Sequence, residues 1–159
     1  MKRSGFKKKI GKGLKRSGFK VKKRVKSKTT KKYLAKSAKS WKKKAWEKFS
    51  ELVRRKANGV CFTCLKKGDW KEMHAGHFIH SRLDLDERNV RCQCPHCNTF
   101  LHGNLGNYAL HLMEEIGIEG VNQLKKDATL ELGAPKKSAE DYKKLYDKFI
   151  EELKMLEGR

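Results

Sequence analysis

Two cysteine pairs, Cys61/Cys64 and Cys94/Cys97, restrict the fold of this chain more than any other feature of the sequence. Both pairs have the Cys-x-x-Cys spacing, and four thiolates arranged in this way form a tetrahedral zinc site. A metal ion bound by both pairs would close the 29 residues between them into a pinned loop or hairpin. We therefore predict a structural zinc held by these four cysteines, with unliganded or redox-active thiols as the alternative.

The fifth cysteine, Cys92, lacks the spacing of a zinc knuckle, and we predict that it is a buried strand residue. An odd number of cysteines is unsuited to a disulfide framework, and Cys-x-x-Cys pairs without an export signal are typical of a reducing compartment. No apolar stretch approaches the length of a membrane span, and no signal-peptide core follows the N-terminal lysines. We expect a cytoplasmic protein with no membrane partner.

Positive charge is concentrated at the start of the chain. Residues 1–48 contain 22 of the 40 lysines and arginines but only one of the 18 acidic residues, whereas residues 49–159 have a net charge of +1. A segment this polar buries too little apolar surface to offset its conformational entropy. We therefore expect residues 1–40 to form a disordered basic arm and residues 41–159 to form one domain.

The basic arm contains a short repeat, because residues 2–7 and 15–20 both have the sequence Lys-Arg-Ser-Gly-Phe-Lys. Lysine and arginine bind nucleic-acid phosphates with release of counterions, and the two phenylalanines can stack on exposed bases. We predict sequence-independent DNA contacts from the cationic residues of the repeat, which are Lys2, Arg3, Lys7, Lys15, Arg16 and Lys20. Charge alone does not exclude RNA, and a solubility tail or a nuclear-import patch is the alternative.

A helix and two strands are predicted around the first cysteine pair. Apolar residues recur at helical spacing from Trp41 to Val53, and Asn58-Gly59 is a stop signal for that helix. Residues 72–80 and 88–92 have the pattern of two short strands, joined by a polar loop. The hairpin that results would lie inside the segment closed by the cysteines.

Further helices are predicted after the second cysteine pair. One covers residues 98–101 or restarts near Leu105. Ser138 and Asp141 are spaced as a capping box at the start of the last helix. An apolar stripe on that helix packs either on the domain or on a second copy of the chain, with core packing favoured, and consists of Tyr142, Leu145, Phe149, Leu153 and Leu156.

Histidine and asparagine residues inside and just after the hairpin have the side chains that phosphodiester hydrolysis requires. A neutral imidazole takes a proton from water near pH 7, and a divalent cation neutralises charge on the phosphate and the leaving oxygen. We predict that His77 is the base, that Asn89 orients it, and that Asn98 binds Mg²⁺ or Mn²⁺. A hairpin, a helix and these residues together resemble the ββα-metal arrangement of HNH nucleases.

The residue before the predicted base departs from the usual HNH pattern. HNH motifs often have a metal-binding aspartate or histidine there, whereas this chain has Gly76, which supplies no ligand. His74 lies on the same strand face by the two-residue period and is our substitute candidate at the catalytic site. His102, in the helical region that follows, is a second candidate metal ligand. The alternative for both His74 and His102 is a structural role.

Three arginines flank the predicted hairpin and are candidates to hold a phosphate near His77. The planar guanidinium forms two parallel hydrogen bonds to phosphate oxygens. The alternative for each is a solvated surface role, and the three residues are Arg82, Arg88 and Arg91.

Several ordered motifs resemble the NinG/Rap recombination proteins of lambdoid phages, mainly over residues 44–118. They are His74-Ala75-Gly76-His77-Phe78, Asp86-Glu87-Arg88-Asn89, Gln93-Cys94-x-x-Cys97-Asn98 and Gly103-Asn104-x-x-x-Tyr108. The resemblance implies a structure-selective DNA endonuclease that acts on branched intermediates such as D-loops and Holliday junctions. It also implies a location in the host cytosol and DNA with branches or single-stranded regions as the partner. Other phage recombination proteins and a homodimer are compatible with it.

The sequence thus favours an α+β fold with a small HNH-type ββα-metal core, held by a four-cysteine zinc site, flanked by helices and preceded by a disordered basic N-terminal arm. Two rival functions stay open. One is a non-catalytic zinc-ribbon protein that binds DNA or RNA, with structural histidines. The other is an architectural basic protein that condenses or anneals strands.

Overall fold

The computed structural model describes residues 37–158. The predicted arm contacts, from Lys2 to Lys20, lie outside these residues. The described elements are helix α1 (Ala38–Lys56), strand β1 (His74–His77), strand β2 (Val90–Gln93), a π-helix (His96–Phe100), helix α2 (Leu105–Gly133) and helix α3 (Ala139–Glu157). This mixture of helices with one small sheet is an α+β fold, as predicted. None of the helices within residues 37–158 is long and apolar enough to cross a membrane.

Helix α1 forms where the apolar spacing predicts it, although it begins three residues earlier than Trp41. The Ser37 side chain accepts a hydrogen bond from the Ser40 N–H at 3.3 Å and caps the first turn. The helix ends before Asn58 and Gly59, which both have positive φ angles, of 49° and 70°. A side chain at position 59 would overlap the Gly68 carbonyl oxygen, so glycine is required at this turn.

The two strands pair antiparallel, with His74 opposite Gln93 and His77 opposite Val90. Both are shorter than the predicted ranges 72–80 and 88–92. The chain leaves the ladder after Phe78, because the Asn89 side chain takes the place of a strand partner for the backbone of the following loop. Positions 74 and 76 lie on the strand face that is directed at the π-helix. Ala75 and the β2 residue paired with it lie on the other face and contribute to the main core.

The main core lies between α1, α3 and the hairpin. Phe49 of α1 is fully buried, and its ring lies 5.0 Å from the ring of Phe149 on α3. The predicted capping box of α3 is present, because the Asp141 N–H donates to the Ser138 hydroxyl and the Ser138 N–H donates to the Asp141 carboxylate. The predicted apolar stripe of α3 therefore packs on the domain, with Phe149 and Leu153 buried.

Helix α2 contributes the buried residues of a second hydrophobic core. The same helix connects this core to the hairpin. The helix is interrupted at Gly117, which has a φ of 72° and a ψ of 165°. Its first part buries Tyr108, whose hydroxyl donates to the carbonyl oxygens of Gly76 and Asn89 at 3.2 Å each. Since those carbonyls belong to the two sides of the hairpin, Tyr108 holds the strand pair in its position relative to α2.

Replacing Phe49 with alanine should destabilise the domain by about 3–5 kcal/mol, because the substitution leaves a cavity beside Phe149 in the main core. The matched control is Phe100→Ala, since Phe100 is 73% exposed and should change the stability by less than about 0.5 kcal/mol. Chemical denaturation followed by circular dichroism measures both free energies of unfolding. Equal effects of the two substitutions would contradict this description of the core.

Candidate functional site

The four predicted cysteine ligands form one cluster. Their sulfur atoms all lie within 4.8 Å of one another, and those of Cys64 and Cys94 are 3.8 Å apart. A tetrahedral zinc ion with Zn–S bonds of about 2.3 Å separates its sulfurs by about 3.8 Å. The donor set, spacing and convergence of the thiols therefore fit a structural metal ion such as zinc.

Hydrogen bonds around the cluster favour the thiolate form of Cys61. Burial opposes ionisation of Cys61, but the Thr63 hydroxyl and backbone N–H groups outweigh it and lower the pKa of this thiol to about 6. Burial raises the pKa of Cys64 to about 12, helped by the neighbouring sulfurs. One thiolate thus forms readily while further negative charge is resisted, and a bound cation would offset the repulsion among four thiolates.

Cys92 is separate from the cluster, as predicted. It is 1% exposed in β2, and burial raises the pKa of its thiol to about 11. Its carbonyl oxygen accepts a hydrogen bond from the Phe62 N–H at 2.7 Å. This bond ties β2 to the loop of the first cysteine pair, so Cys92 contributes packing and backbone alignment.

The π-helix that contains Cys97 brings Asn98 to the hairpin. The Asn98 amide nitrogen lies 3.0 Å from His74 Nδ1. The Asn98 oxygen faces Gly76, where it would lie 2.8 Å from an added Cβ atom. Gln93, opposite His74, also directs its side-chain oxygen at this space. Two amide oxygens beside an imidazole fit the oxygen preference of Mg²⁺ or Mn²⁺.

His77 lies on the opposite face of β1 from His74. Its ring stacks on Trp46 of α1 with centroids 4.9 Å apart, and its Nε2 atom lies 3.8 Å from a carboxylate oxygen of Asp84. Nε2 is buried and has no hydrogen-bond partner among the described residues. Burial lowers the pKa of His77, and the Asp84 carboxylate opposes that shift only in part. The imidazole is therefore neutral near pH 7.

A cleft of about 570 Å³ adjoins His77. It is lined by side chains of both signs, since Lys42 and Asp84 form an ion pair at 2.6 Å within it. Ser81 lies at its edge, in the left-handed region with a φ of 60°. The cleft adjoins the face of β1 that carries His77.

Asn89 is fully buried and holds the loop after β1 rather than the His77 ring. Its side-chain oxygen accepts from the Ile79 N–H at 2.7 Å, and its amide nitrogen donates to carbonyl oxygens of Ile79 and Arg82 at 3.0 and 2.8 Å. The predicted orienting role is thus indirect in this geometry. Asn89 shapes the loop that carries Asp84 to His77.

The other histidines lie apart from this arrangement. His102, the second candidate metal ligand, is exposed in a left-handed turn with a φ of 49°. His80 and His96 are also exposed. His111 is half-buried on α2, and its Nδ1 lies 2.6 Å from the Phe62 carbonyl oxygen, which links α2 to the first cysteine pair. His111 is therefore a packing residue.

Two of the three predicted phosphate-binding arginines are occupied by carboxylates. Arg88 bonds to Asp86 and to Asp127 at 2.7 and 2.9 Å, and Arg91 bonds to Glu115 at 3.0 Å. Arg82 donates to the Ser81 carbonyl oxygen at 2.8 Å beside the cleft. Arg82 is therefore the one of the three without a carboxylate partner among residues 37–158.

Asp84 and Gln93 are among the residues of the site that were not predicted from the sequence. Asp84 lies seven residues after His77 in a loop that holds two other acidic residues, so no local sequence pattern distinguishes it. Gln93 had a weak signal, because it stands directly before Cys94 and opposite His74 if the hairpin register is known. Both become visible only when the loop and the register are known.

The fold and the site define an α+β protein in which a four-cysteine centre holds a hairpin beside a short helix. The family model described as Bacteriophage Lambda NinG protein matches residues 1–158. The chain belongs to the NinG family of bacteriophage proteins. No solved structure matches it.

Relatives with the name protein ninG come from several phages. The chain is 33% identical over 94 residues to that of Salmonella phage P22, 31% to that of Escherichia phage 933W and 30% to that of Escherichia phage lambda. In each case the match covers 55% of this chain and 45% of the relative. The chain thus spans about half the length of the curated relatives it matches.

Replacing a cluster cysteine should remove the metal, whereas replacing Cys92 should not. Cys97→Ala leaves three thiolates, so we expect zinc per chain to fall well below about one and the helical signal to melt at a lower temperature. Cys92→Ala, the matched control, should retain about one zinc with a loss of roughly 1 kcal/mol from its small cavity. Elemental analysis and thermal denaturation measure both. Metal loss from Cys92→Ala alone would contradict the ligand set.

Proposed function

We propose that this chain is a metal-dependent DNA endonuclease that hydrolyses phosphodiester bonds in branched recombination intermediates, such as D-loops and Holliday junctions. One observation carries the proposal. His74 and Asn98 meet at 3.0 Å where the hairpin contacts the π-helix, and His74 is two residues from Gly76 and three from His77 in the chain. Histidine and asparagine from a hairpin and a following helix are the side chains of HNH-type hydrolysis. The preference for branched DNA is an expectation from the family resemblance.

In the proposed reaction His77 takes a proton from the attacking water. Its burial against Trp46 keeps the imidazole neutral and ready to accept that proton. Asp84, 3.8 Å from Nε2, would then stabilise the imidazolium. Mg²⁺ or Mn²⁺ held by Asn98 would supply positive charge to the phosphate and the leaving oxygen. Structural zinc in the cysteine cluster would hold the hairpin in place.

DNA binding is assigned to the arm and to the edge of the cleft. The arm residues between Lys2 and Lys20 provide dense positive charge that is independent of sequence. Arg82 lies beside the cleft that contains Lys42. Because Arg88 and Arg91 are engaged by carboxylates, we assign them to the support of the loop and of α2 instead of to phosphate.

One observation favours the rival function, a non-catalytic zinc-ribbon protein that binds DNA or RNA. His77 and His74 lie on opposite faces of β1, so the proposed base and the proposed metal ligand do not face the same space in this geometry. Under this alternative His77 is a packing residue of α1 and Asn98 supports His74.

Parent protein should nick labelled D-loops and Holliday junctions in the presence of Mg²⁺ or Mn²⁺, and His77→Gln should lower the rate by about 10²-fold or more, because the base is removed while the ring position stays filled. Zinc content and DNA affinity should be unchanged. The matched control is His80→Gln, an exposed histidine of the same segment that should keep the parental rate. Tight binding without cleavage in any of these metals would favour the rival function.

The rate of cleavage should rise with pH through a midpoint below 6.5. Burial lowers the pKa of His77 below its ordinary value, so the neutral imidazole is regained at a lower pH than in an exposed histidine. The pH dependence of kcat/KM reports this ionisation in the free protein. Residual activity of His77→Gln should lack the same step. A midpoint above 7 in the parent would contradict the assignment of His77 as base.

A further inference from the structure

Gln93 carries a buried oxygen without a donor. The residue is fully buried, and its Oε1 atom has no hydrogen-bond partner among residues 37–158. The orientation of the amide is determined by the Gly103 carbonyl oxygen, which accepts from Gln93 Nε2 at 2.7 Å and has no hydrogen to donate. Nε2 also donates to the Thr63 hydroxyl at 3.2 Å. Oε1 must therefore point away from these groups, into the space beside Gly76.

Gly76 leaves open the space that this oxygen faces. A Cβ atom at position 76 would overlap Gln93 Oε1 and would lie 2.8 Å from Asn98 Oδ1. Both oxygens thus lie within 2.8 Å of one point, directed there from β2 and from the π-helix. The Asn98 oxygen has this direction because its amide nitrogen is turned towards His74 Nδ1. Two acceptors that converge without a donor between them are a cation-binding arrangement.

We propose that Gln93 Oε1 and Asn98 Oδ1 bind one Mg²⁺ or Mn²⁺ ion beside Gly76, so that Gln93 replaces the side-chain ligand that position 76 lacks. The inference rests on the proposed function only for the use of that ion in hydrolysis. Both ligands are neutral, so the ion keeps several waters and binds weakly until phosphate oxygens complete its shell. A buried water that donates to both oxygens is the competing occupant.

Nuclear magnetic resonance of the zinc-loaded full chain tests the site without DNA and without activity. Mn²⁺ relaxes nearby nuclei, so stepwise addition should broaden the backbone signals of Gly76, Gln93 and Asn98 before those of the acidic surface. Mg²⁺ in excess should reverse the effect. Signals of these three residues that persist after surface signals have broadened would overturn the proposal in favour of a bound water.

The Asn98→Asp variant tests whether residue 98 binds the metal ion directly or acts only through its charge. A carboxylate at this position should tighten Mn²⁺ binding by about tenfold, because ligand charge determines affinity for hard cations. The matched control is Thr99→Asp, which adds the same charge at an exposed position of the same π-helix and should change the affinity by less than about threefold. Equal gains in the two variants would overturn the assignment of Asn98.

The Gln93 ligand is tested by exchange with position 76. Gln93→Leu should lose Mn²⁺ broadening while zinc content is retained. Because Gln93 also bonds to Gly103 and Thr63, a second variant guards against a folding defect: Gly76→Asp with Gln93→Ala places a carboxylate in the emptied space and should restore binding. Parental Mn²⁺ binding by Gln93→Leu would overturn the proposal.

The two proposals fail in different ways. Mn²⁺ binding beside Gly76 without DNA cleavage would support the proposed cation site and contradict the proposed endonuclease activity. Metal-dependent cleavage at the parental rate by the Gln93→Leu variant would contradict the proposed cation site and support the proposed endonuclease activity.

Discussion

The convergence of four cysteine sulfurs is the constraint on which the rest of the structure depends. It joins the loop after α1 to the end of β2, and the hairpin between them is only four residues long on each strand. A two-stranded ribbon of that length has little stability of its own. Hydrogen bonds from Asn104 to Cys97 and from Phe62 to Cys92 extend the cluster into α2 and β2. The backbone near the candidate site is therefore aligned by sulfur positions more than by sheet pairing.

The hairpin held in this way has two chemically different faces. One contacts the π-helix through His74, and the other contacts α1 through His77. A shift of the strand pairing by one residue would exchange the two faces. Tyr108 resists such a shift, because its hydroxyl bonds to carbonyl oxygens on both sides of the hairpin. The separation of the two histidines is thus a consequence of register, and the register depends on α2 as much as on the strands.

The features that could be predicted from the sequence are those that depend only on residues close together in the chain. The cysteine spacing, the capping box at Ser138 and the helix stop at Asn58-Gly59 are local patterns, and all three are present. The strand ends were predicted too long, because the Asn89 side chain reaches ten residues back to the Ile79 backbone. Arg88 pairs with Asp86 two residues away, but its second partner, Asp127, and the Arg91 partner, Glu115, lie on α2, where no local pattern points to them. Asp84 and Gln93 were not predicted for the same reason, since the position of Asp84 depends on the loop after β1 and that of Gln93 on the register of the hairpin.

The distribution of charge bears on how such a site would meet DNA. Residues 49–159 have a net charge of only +1, and two of the three arginines beside the hairpin are already paired with carboxylates. Attraction of a polyanion is then a property of the first 48 residues, whereas the folded domain contributes shape and a few directed groups. A phosphate that reached the hairpin would meet an imidazole at position 74 and side-chain amides at positions 93 and 98. Under the proposed function, the positive charge for the transition state would have to come mainly from a bound cation, since the local arginines supply little of it.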